Sequence, residues 1–342
     1  MPAPFSPPVS PMEAQVRDTI PPGPGWAYEP KWDGFRMVAW RDPLRIDSRN
    51  QRPLLRYFPE LQPTLEQLPP DAVIDGEVVV VLDGHTDFDA LQNRLHPAES
   101  RVRLLAETTP ARLIAFDCLA AGGQDLRRAP FAERRGALEA LFAAELAGTA
   151  WHLTPSTTDE ATAQQWFTAF ESAGCDGIVA KKLDGVYQEG VRAMVKIKHR
   201  RDVDCVIGGY REHKDGGKIG SLLLGLFNDR DELHFIGHCS GFGDVDRVAI
   251  LEQLQPLVRA ESFGADARQP GSPSRWSGEK DMSWTPVEPQ LVCEVSYDQL
   301  TGERFRHATR FHRWRPDKSP SDCRLDQLQR PEGPDFEAVV IA

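Results

Sequence analysis

With 342 residues the chain is long enough for two hydrophobic cores, and 40% hydrophobic against 27% charged residues marks an ordinary globular composition. No apolar run approaches the roughly 18 residues of a membrane span, and the Pro-rich opening MPAPFSPPVSPMEA has no apolar signal core, so a cytoplasmic protein without membrane contact is expected. A net charge of -11 weighs against nucleic acid as a partner in bulk, so the basic residues must be judged by where they cluster.

From about residue 26 to 205, strand-like stretches alternate with helical ones. WAYEPKW, FRMVAWR and AVIDGEVVVVL read as strands by their β-branched and aromatic content, and DFDALQNRL follows as a helix. ARLIAFDCLA is a further strand. FAERRGALEALFAAEL and DEATAQQWFTAFESAG carry apolar residues at spacings of three and four, with Asp159 placed to cap the second and Gly174 to stop it. GIVAKK and AMVKIKH complete the series as strands. These elements predict an α+β domain over residues 1–202, built on antiparallel sheets.

Past Arg201 the texture changes. DCVIGGYREH, SLLLGLFN, ELHFIGHCSG, QLVCEVSYDQ and RFRHATRFHRWR read as short strands separated by turns. One helix, DVDRVAILEQLQPLV, and a Gly/Ser/Pro/Arg-rich loop at 261–281 interrupt them. Five strands and one helix make the element count of an OB-fold barrel, so an all-β domain with a C-terminal extension is expected over 203–342.

Several chemistries are excluded. The six cysteines form no C-x-x-C pair, so neither a zinc ribbon nor a disulfide framework is indicated. The nine histidines show no H-E-x-x-H spacing, and no G-x-x-x-x-G-K-[ST] loop is present. The Gly-rich IGGYREHKDGGKIG reads as turns between barrel strands.

What remains is a set of polar residues that fit poorly as structural features. In YEPKWDGFRM, Lys31 is framed by Glu29, by Asp33-Gly34 and by Arg36. Taken alone this is a hairpin, with Asp33-Gly34 as a type I′ turn and Lys31 a solvated flank. Arg49 in DSRNQRP, Glu77 in VIDGEVVV, Phe116-Asp117 in IAFDCL and Asp176 in DGIVAK join the set. Glu77 is awkward in a strand that otherwise reads as buried, because an unpaired buried carboxylate is costly. Lys196 and Lys198 alternate with Ile197, which places two ammonium groups about 7 Å apart on one sheet face, where they repel unless an anion lies between them. RAMVKIKHRR carries Arg192, Lys196, Lys198, Arg200 and Arg201 with no acid; RFRHATRFHRWRPDK carries Arg304, Arg306, Arg310, Arg313, Arg315 and Lys318 against Asp317 alone. Such unbalanced, Arg-rich runs suit phosphate. Together the residues suggest a nucleoside triphosphate, a metal ion and a nucleophilic amine.

In order, E-x-K-x-D-G-x-R, S-R-N, D-G-E, F-D, D-G-I-V-A-K, K-x-K and R-x-R-x-D-K resemble the motif series of the ATP-dependent polynucleotide ligases. From PPVSPM to RWRPDK the chain is similar to the small stand-alone bacterial DNA ligases. These are related to the ligase modules of bacterial end-joining enzymes but lack the attached polymerase and nuclease domains. The resemblance implies a nucleotidyltransferase (adenylation) domain followed by an OB-fold domain, and a three-step reaction. Lys31 takes AMP from ATP, AMP passes to the 5′-phosphate of a nick, and the 3′-hydroxyl then displaces it. It further implies ATP with Mg2+ or Mn2+, and a monomer acting on nicked duplex DNA, nucleoid-associated and open to DNA end-binding or repair proteins.

Residue roles follow from the same resemblance. Glu29 would accept from the adenine exocyclic amine and Phe116 would stack on the ring. Arg36 and Arg49 would hold ribose and phosphates, Arg49 also reaching the nicked strand. Glu77 would bind ribose or metal. Asp176, standing where the family has glutamate, would reach a metal directly or through water. Arg192, Lys196 and Lys198 would contact the AMP phosphate, with Lys181 a lesser candidate, and Arg315, Asp317 and Lys318 would orient pyrophosphate. A free lysine is about 99.9% protonated at pH 7, so burial and the cations Arg36, Lys196 and Lys198 are expected to favour the neutral amine of Lys31. An RNA ligase or GTP-using capping enzyme of the same superfamily, and a non-catalytic nick-binding protein, are the other readings. Glu29 and the R-x-D-K run favour ATP and DNA, and retention of Lys31 weighs against a binding role alone.

Overall fold

The computed structural model describes residues 2–146, 149–243, 245–265, 267–271, 283–328 and 331–341. They form two compact units, Met1–His199 together with Arg330–Ala342, and Arg200–Gln329.

The strands of the first unit longer than two residues are, in chain order, β1 (Ala14–Arg17), β2 (Trp26–Pro30), β3 (Phe35–Trp40), β4 (Arg45–Ser48), β5 (Val73–Leu82), β6 (Ala111–Ala121), β7 (Trp151–Leu153), β8 (Gly177–Lys182) and β9 (Met194–Lys198). One sheet has the order β1-β9-β8-β2; the other runs β4-β3-β5-β6, with β7 added beside β6. Each sheet contains one parallel pairing, β1 with β9 and β6 with β7, where antiparallel sheets were expected. The second sheet is buried on both faces. Met37 and Ala39 of β3 pack into one core with Ile74, Val78 and Leu138, while Val38 and Trp40 pack into another with Leu119, Tyr187 and Met194. Burial on both faces accounts for the continuous apolar run in β5.

Helices cover the outside. The longer ones are α1 (Phe88–Asn93), α2 (Glu99–Thr108), α3 (Phe131–Leu141) and α4 (Glu160–Ala169). Asp159 caps α4 by accepting from the Thr162 amide at 3.0 Å. The helix ends at Ala169, and Gly174, at φ +91°, serves the turn that follows. Helix α2 was not anticipated; its buried apolar residues are only Val102 and Leu105, too few to set a period.

The second unit is a closed barrel of β10 (Arg201–Glu212), β11 (Ile219–Phe227), β12 (Leu233–Gly241), β13 (Val292–Tyr297) and β14 (Thr309–Trp314). Pairing runs β10-β11-β12-β14-β13 and back to β10, antiparallel except for β12 with β14. Helix α5 (Arg247–Leu254) lies between β12 and β13 in sequence, which completes the OB-fold order. RFRHATRFHRWR, expected as one strand, divides: Arg304–Phe305 pairs with Leu300–Thr301, and Thr309–Trp314 enters the barrel. Of the loop expected at 261–281, residues 266 and 272–281 lie outside the described residues.

The division between units falls after His199 rather than at 202/203, and the last residues are no extension of the barrel. Helix α6 (Phe336–Val339) packs in the first unit, and Ile341 exchanges backbone hydrogen bonds with Leu153 at 2.8 and 2.9 Å. Phe336 and Val339 of the run FEAVVI are buried there, beside Trp32, Val79 and Ile114. All six cysteines are free, buried thiols. Among the described residues no helix is long and apolar enough to cross a membrane.

Candidate active site

The K-x-D-G run is not a hairpin, because β2 and β3 belong to different sheets. Lys31 sits just past β2, where the chain crosses from one sheet to the other. Gly34 makes that crossing feasible: a Cβ there would lie 2.3 Å from the Val78 carbonyl oxygen. The Lys31 amide donates to the Gly177 carbonyl and its carbonyl accepts from the Asp176 amide, both at 2.9 Å. These bonds continue the pairing of β2 with β8 and carry the Asp176 side chain to the amine. Lys31 Nζ lies 2.7 Å from Asp176 Oδ1, and Lys198 Nζ lies 3.2 Å from Oδ2. Gly177 pairs with Lys198 at φ +146°, and a Cβ there would meet the Ile197 carbonyl oxygen at 1.8 Å. Only glycine lets β8 and β9 approach so closely.

This geometry corrects the expected charge state of Lys31. Burial alone pulls its pKa down, but the Asp176 carboxylate, joined by Asp33 and Glu77, outweighs burial and holds it above the ordinary lysine value. Burial likewise pushes Asp176 up, and Lys31 and Lys198 together bring it below the usual carboxylate value. The mutual repulsion of cations falls instead on Lys196, lowered by burial and by Lys31, Lys198 and Arg49.

A cavity of about 700 Å³ opens in front of Lys31, lined among others by Glu29, Arg36, Arg49, Glu77, Phe116, Lys181, Arg192 and Lys196. Asp176 and Lys198 are not part of its wall; they connect to it through Lys31. Arg36 grips Asp75 with two hydrogen bonds of 2.5 and 2.6 Å, and Asp75 also accepts from the Tyr187 hydroxyl at 2.6 Å. The register sets Arg36 opposite Glu77 and Val38 opposite Asp75, so the arginine reaches its partner diagonally along one face. Phe116 is the extra residue of a β-bulge: Gly76 pairs with Ala115 and Asp75 with Asp117, which leaves Phe116 unmatched. Its ring lies half-buried at the cavity, with the Arg36 guanidinium 4.6 Å and the Lys181 ammonium 4.8 Å from its centroid.

Glu29 and Lys181 form a pair that is 3% exposed on each side, Oε2 to Nζ at 2.8 Å. Lys181 Nζ also donates to the Phe116 carbonyl at 2.8 Å, and Arg135 approaches the other Glu29 oxygen at 3.5 Å. Burial pushes the Glu29 carboxyl up in spite of both cations. Glu77, in contrast, is in no ion pair among the described residues, and burial pushes its carboxyl up to about 8 although Arg36 and Lys31 stand nearby. A half-buried carboxylate short of a cation fits a divalent ion. Among the described residues no cluster of three His, Cys, Asp or Glu side chains is present. Such an ion would therefore draw most of its ligands from phosphate and water, the habit of Mg2+.

Arg49 and Arg192 are joined by Glu13, which lies 2.7 Å from Arg49 Nη2 and 3.5 Å from Arg192 Nε. Arg315, Asp317 and Lys318 lie in the second unit, gathered around Asp204: Arg315 pairs with Asp204 at 2.8 Å and Asp317 at 2.9 Å, Lys318 with Asp204 at 2.8 Å. Glu13, Asp75, Arg135 and Tyr187 were missed from the sequence. Asp75 had a signal, standing two residues before Glu77 on the same strand face. The others had none, being brought in from distant segments by the fold.

Residues 11–198 match the family model described as the ATP dependent DNA ligase domain, and residues 215–318 match the ATP dependent DNA ligase C terminal region. The chain is 49% identical to DNA ligase C2 of Mycolicibacterium smegmatis over 97% of each protein. It is 32% identical to the multifunctional non-homologous end joining protein LigD of Mycobacterium bovis, over 87% of this chain and 37% of that one. A solved Lig E DNA ligase structure shares the fold at a TM-score of 0.56 and 17% identity, covering 89% of this chain and 99% of that chain. The strands that cradle Lys31 and the barrel strands from β11 onward fall within matched regions, and the chain belongs to the ATP-dependent DNA ligase family.

Proposed function

We propose that the cavity binds ATP, that Lys31 is the residue that carries AMP, and that the product is a sealed nick in duplex DNA. In the first step the Lys31 amine attacks the α-phosphorus, the bond to the β-phosphate oxygen breaks, and pyrophosphate leaves a lysyl-AMP phosphoramidate. AMP then moves to the 5′-phosphate of the nick, restoring the amine. The 3′-hydroxyl finally attacks that phosphorus, expels AMP and closes the phosphodiester.

The amine must lose a proton before it attacks. Asp176 Oδ1, at 2.7 Å, is an acceptor within reach. Once Asp176 holds that proton it no longer balances the charge of Lys198 on its opposite oxygen, and exchange of Lys198 onto the AMP phosphate would follow. Arg36, fixed by Asp75, with Arg49, Arg192 and Lys196, supplies positive charge for the phosphates. A divalent ion, Mg2+ or Mn2+, would be held by Glu77 and supply further neutralisation of the phosphate oxygens.

Phe116 would stack on adenine, its ring aimed by the bulge. Glu29 and Lys181 set an acceptor beside a donor at 2.8 Å. This order suits adenine, whose exocyclic amine donates and whose N1 accepts; guanine in the same pose offers the reverse. Arg315, Asp317 and Lys318 would orient pyrophosphate, for which Lys318 must exchange Asp204 for the leaving group. The enzyme would act as a monomer, on 5′-phosphate nicks left by DNA repair.

The observation that carries the reading is the amine of Lys31 held against Asp176 at the wall of a cation-lined cavity. Incubation with α-labelled ATP and Mg2+ should give covalently labelled protein, and both Lys31→Ala and Lys31→Arg should lose the label, since neither offers an amine that can form the phosphoramidate. Label retained on Lys31→Ala at the wild-type level overturns the assignment. A nicked DNA duplex should be sealed in preference to a nicked RNA hairpin; the opposite order would make the chain an RNA-joining member of the superfamily.

A further inference from the structure

After the barrel, residues 331–341 return to the first unit and pack beside the connection that holds the nucleophile. Phe336 is fully buried, with its ring edge-on to Trp32 at 5.4 Å between centroids. It belongs with Val339 to a small apolar cluster completed by Trp32, Val79, Ile114, Ala173 and Cys175. Two of these residues are the immediate neighbours of the resting ion pair: Trp32 follows Lys31, and Cys175 precedes Asp176.

The segment is tied down at several points besides its aromatic ring. The Phe336 amide donates to the Gly84 carbonyl at 2.7 Å, the Ser172 hydroxyl donates to the Pro334 carbonyl at 2.6 Å, and Asp335 caps α6 through the Ala338 amide at 3.0 Å. Trp32 has one polar anchor, its indole N–H donating to Thr154 Oγ1 at 2.9 Å, and its apolar body needs a further wall. Phe336 supplies that wall. No residue of 331–341 lines the cavity, although Trp32 does. The segment can therefore set where the amine points without touching nucleotide.

We propose that the return segment is a positioning element for the Lys31 amine, acting through contact of Phe336 with Trp32. The inference rests on Lys31 being the adenylated residue. It requires Phe336 to matter for the one step in which the resting amine must meet the α-phosphorus of ATP, and to matter little for nucleotide affinity or for the last step, in which the 3′-hydroxyl attacks.

The test uses the full chain carrying Phe336→Ala. Single-turnover lysyl-AMP formation should slow by about 10- to 100-fold, the loss that a misplacement near 1 Å brings to an aligned attack. Affinity for the non-cleavable α,β-methylene ATP, and sealing of a nick supplied with its 5′-phosphate already adenylated, should stay within about twofold of wild type. Phe336→Leu, which keeps most of the apolar wall, should recover most of the rate; Phe336→Val, which shortens the wall further, should slow lysyl-AMP formation by an intermediate factor and serves if the alanine variant does not fold. An equal fall in all three measurements means a general structural role and overturns the proposal, as does an unchanged rate of lysyl-AMP formation in the alanine and valine variants. Lys31→Ala run alongside separates the two readings: label on that variant sinks the nucleophile assignment, whereas no label on it with normal label on Phe336→Ala sinks the positioning role alone.

Discussion

Lys31 and Asp176 hold each other in the charged form, so the proposed nucleophile rests as an ammonium ion. Glu77 shows the opposite situation, a carboxyl that burial keeps protonated to about 8 against an ordinary value of 4.5. This has a consequence for stability with a definite sign. The native protein keeps the Glu77 proton across a range in which the unfolded chain has already released it, so the unfolded state binds fewer protons and raising the pH from 5 to 8 favours unfolding. Glu77→Gln cannot titrate, so it should flatten this part of the stability profile. Urea unfolding of the nucleotide-free protein at both pH values would show it: wild type should lose more stability on going to pH 8 than the glutamine variant does. Parallel curves for the two proteins would mean that Glu77 is already ionised at rest. The awkwardness of Glu77 in an apolar strand was legible from VIDGEVVV, and so were the framed lysine and the cations that line the cavity. The charge of Lys31 was not. It depends on which oxygen stands 2.7 Å away, and the chain segment that brings Asp176 there begins more than a hundred residues later.

Among the elements, the strands were the most readable part because their β-branched and aromatic content survives any arrangement. Their membership of sheets was hidden. Consecutive β2 and β3 look like a hairpin in sequence yet part into different sheets, since the partners that decide it, β8 for one and β5 for the other, lie far along the chain. Strand β1, AQVR, was missed because it is short and mostly exposed. The paired strands β8 and β9 are where one methyl group should do most damage. Gly177→Ala would bring its Cβ within 1.8 Å of the Ile197 carbonyl oxygen at a backbone angle that alanine avoids. We expect a loss of at least about 2 kcal/mol in chemical unfolding together with failure of lysyl-AMP formation, because the same displacement moves Asp176 and Lys198. A variant that unfolds at the wild-type denaturant concentration would show that β8 and β9 have slack which their register does not suggest.

At the scale of the whole molecule the first unit is discontinuous in sequence, with residues 200–329 forming a second unit between its two parts. Ending the chain after His199 should therefore do more than remove the barrel. It also strips Phe336 and Val339 from the cluster around Trp32 and Cys175, and we expect such a fragment to unfold more readily and to adenylate poorly. Deleting 200–328 while joining the two parts through a flexible linker should restore labelling with ATP but leave nick sealing impaired. Equal labelling by the two shortened proteins would show that the return segment is dispensable. None of this was legible in FEAVVI, an apolar run that could have served either domain.

The same discontinuity sets an order of events during synthesis. A first domain ordinarily folds as soon as it clears the ribosome, but here the residues that close its last cluster are translated only after the entire barrel. At ordinary elongation rates the wait is on the order of ten seconds, during which the face of Trp32 lacks its cover. A nascent chain can thus have the cations that line its cavity in place and still lack the apolar support beside Lys31 until the second domain has been made.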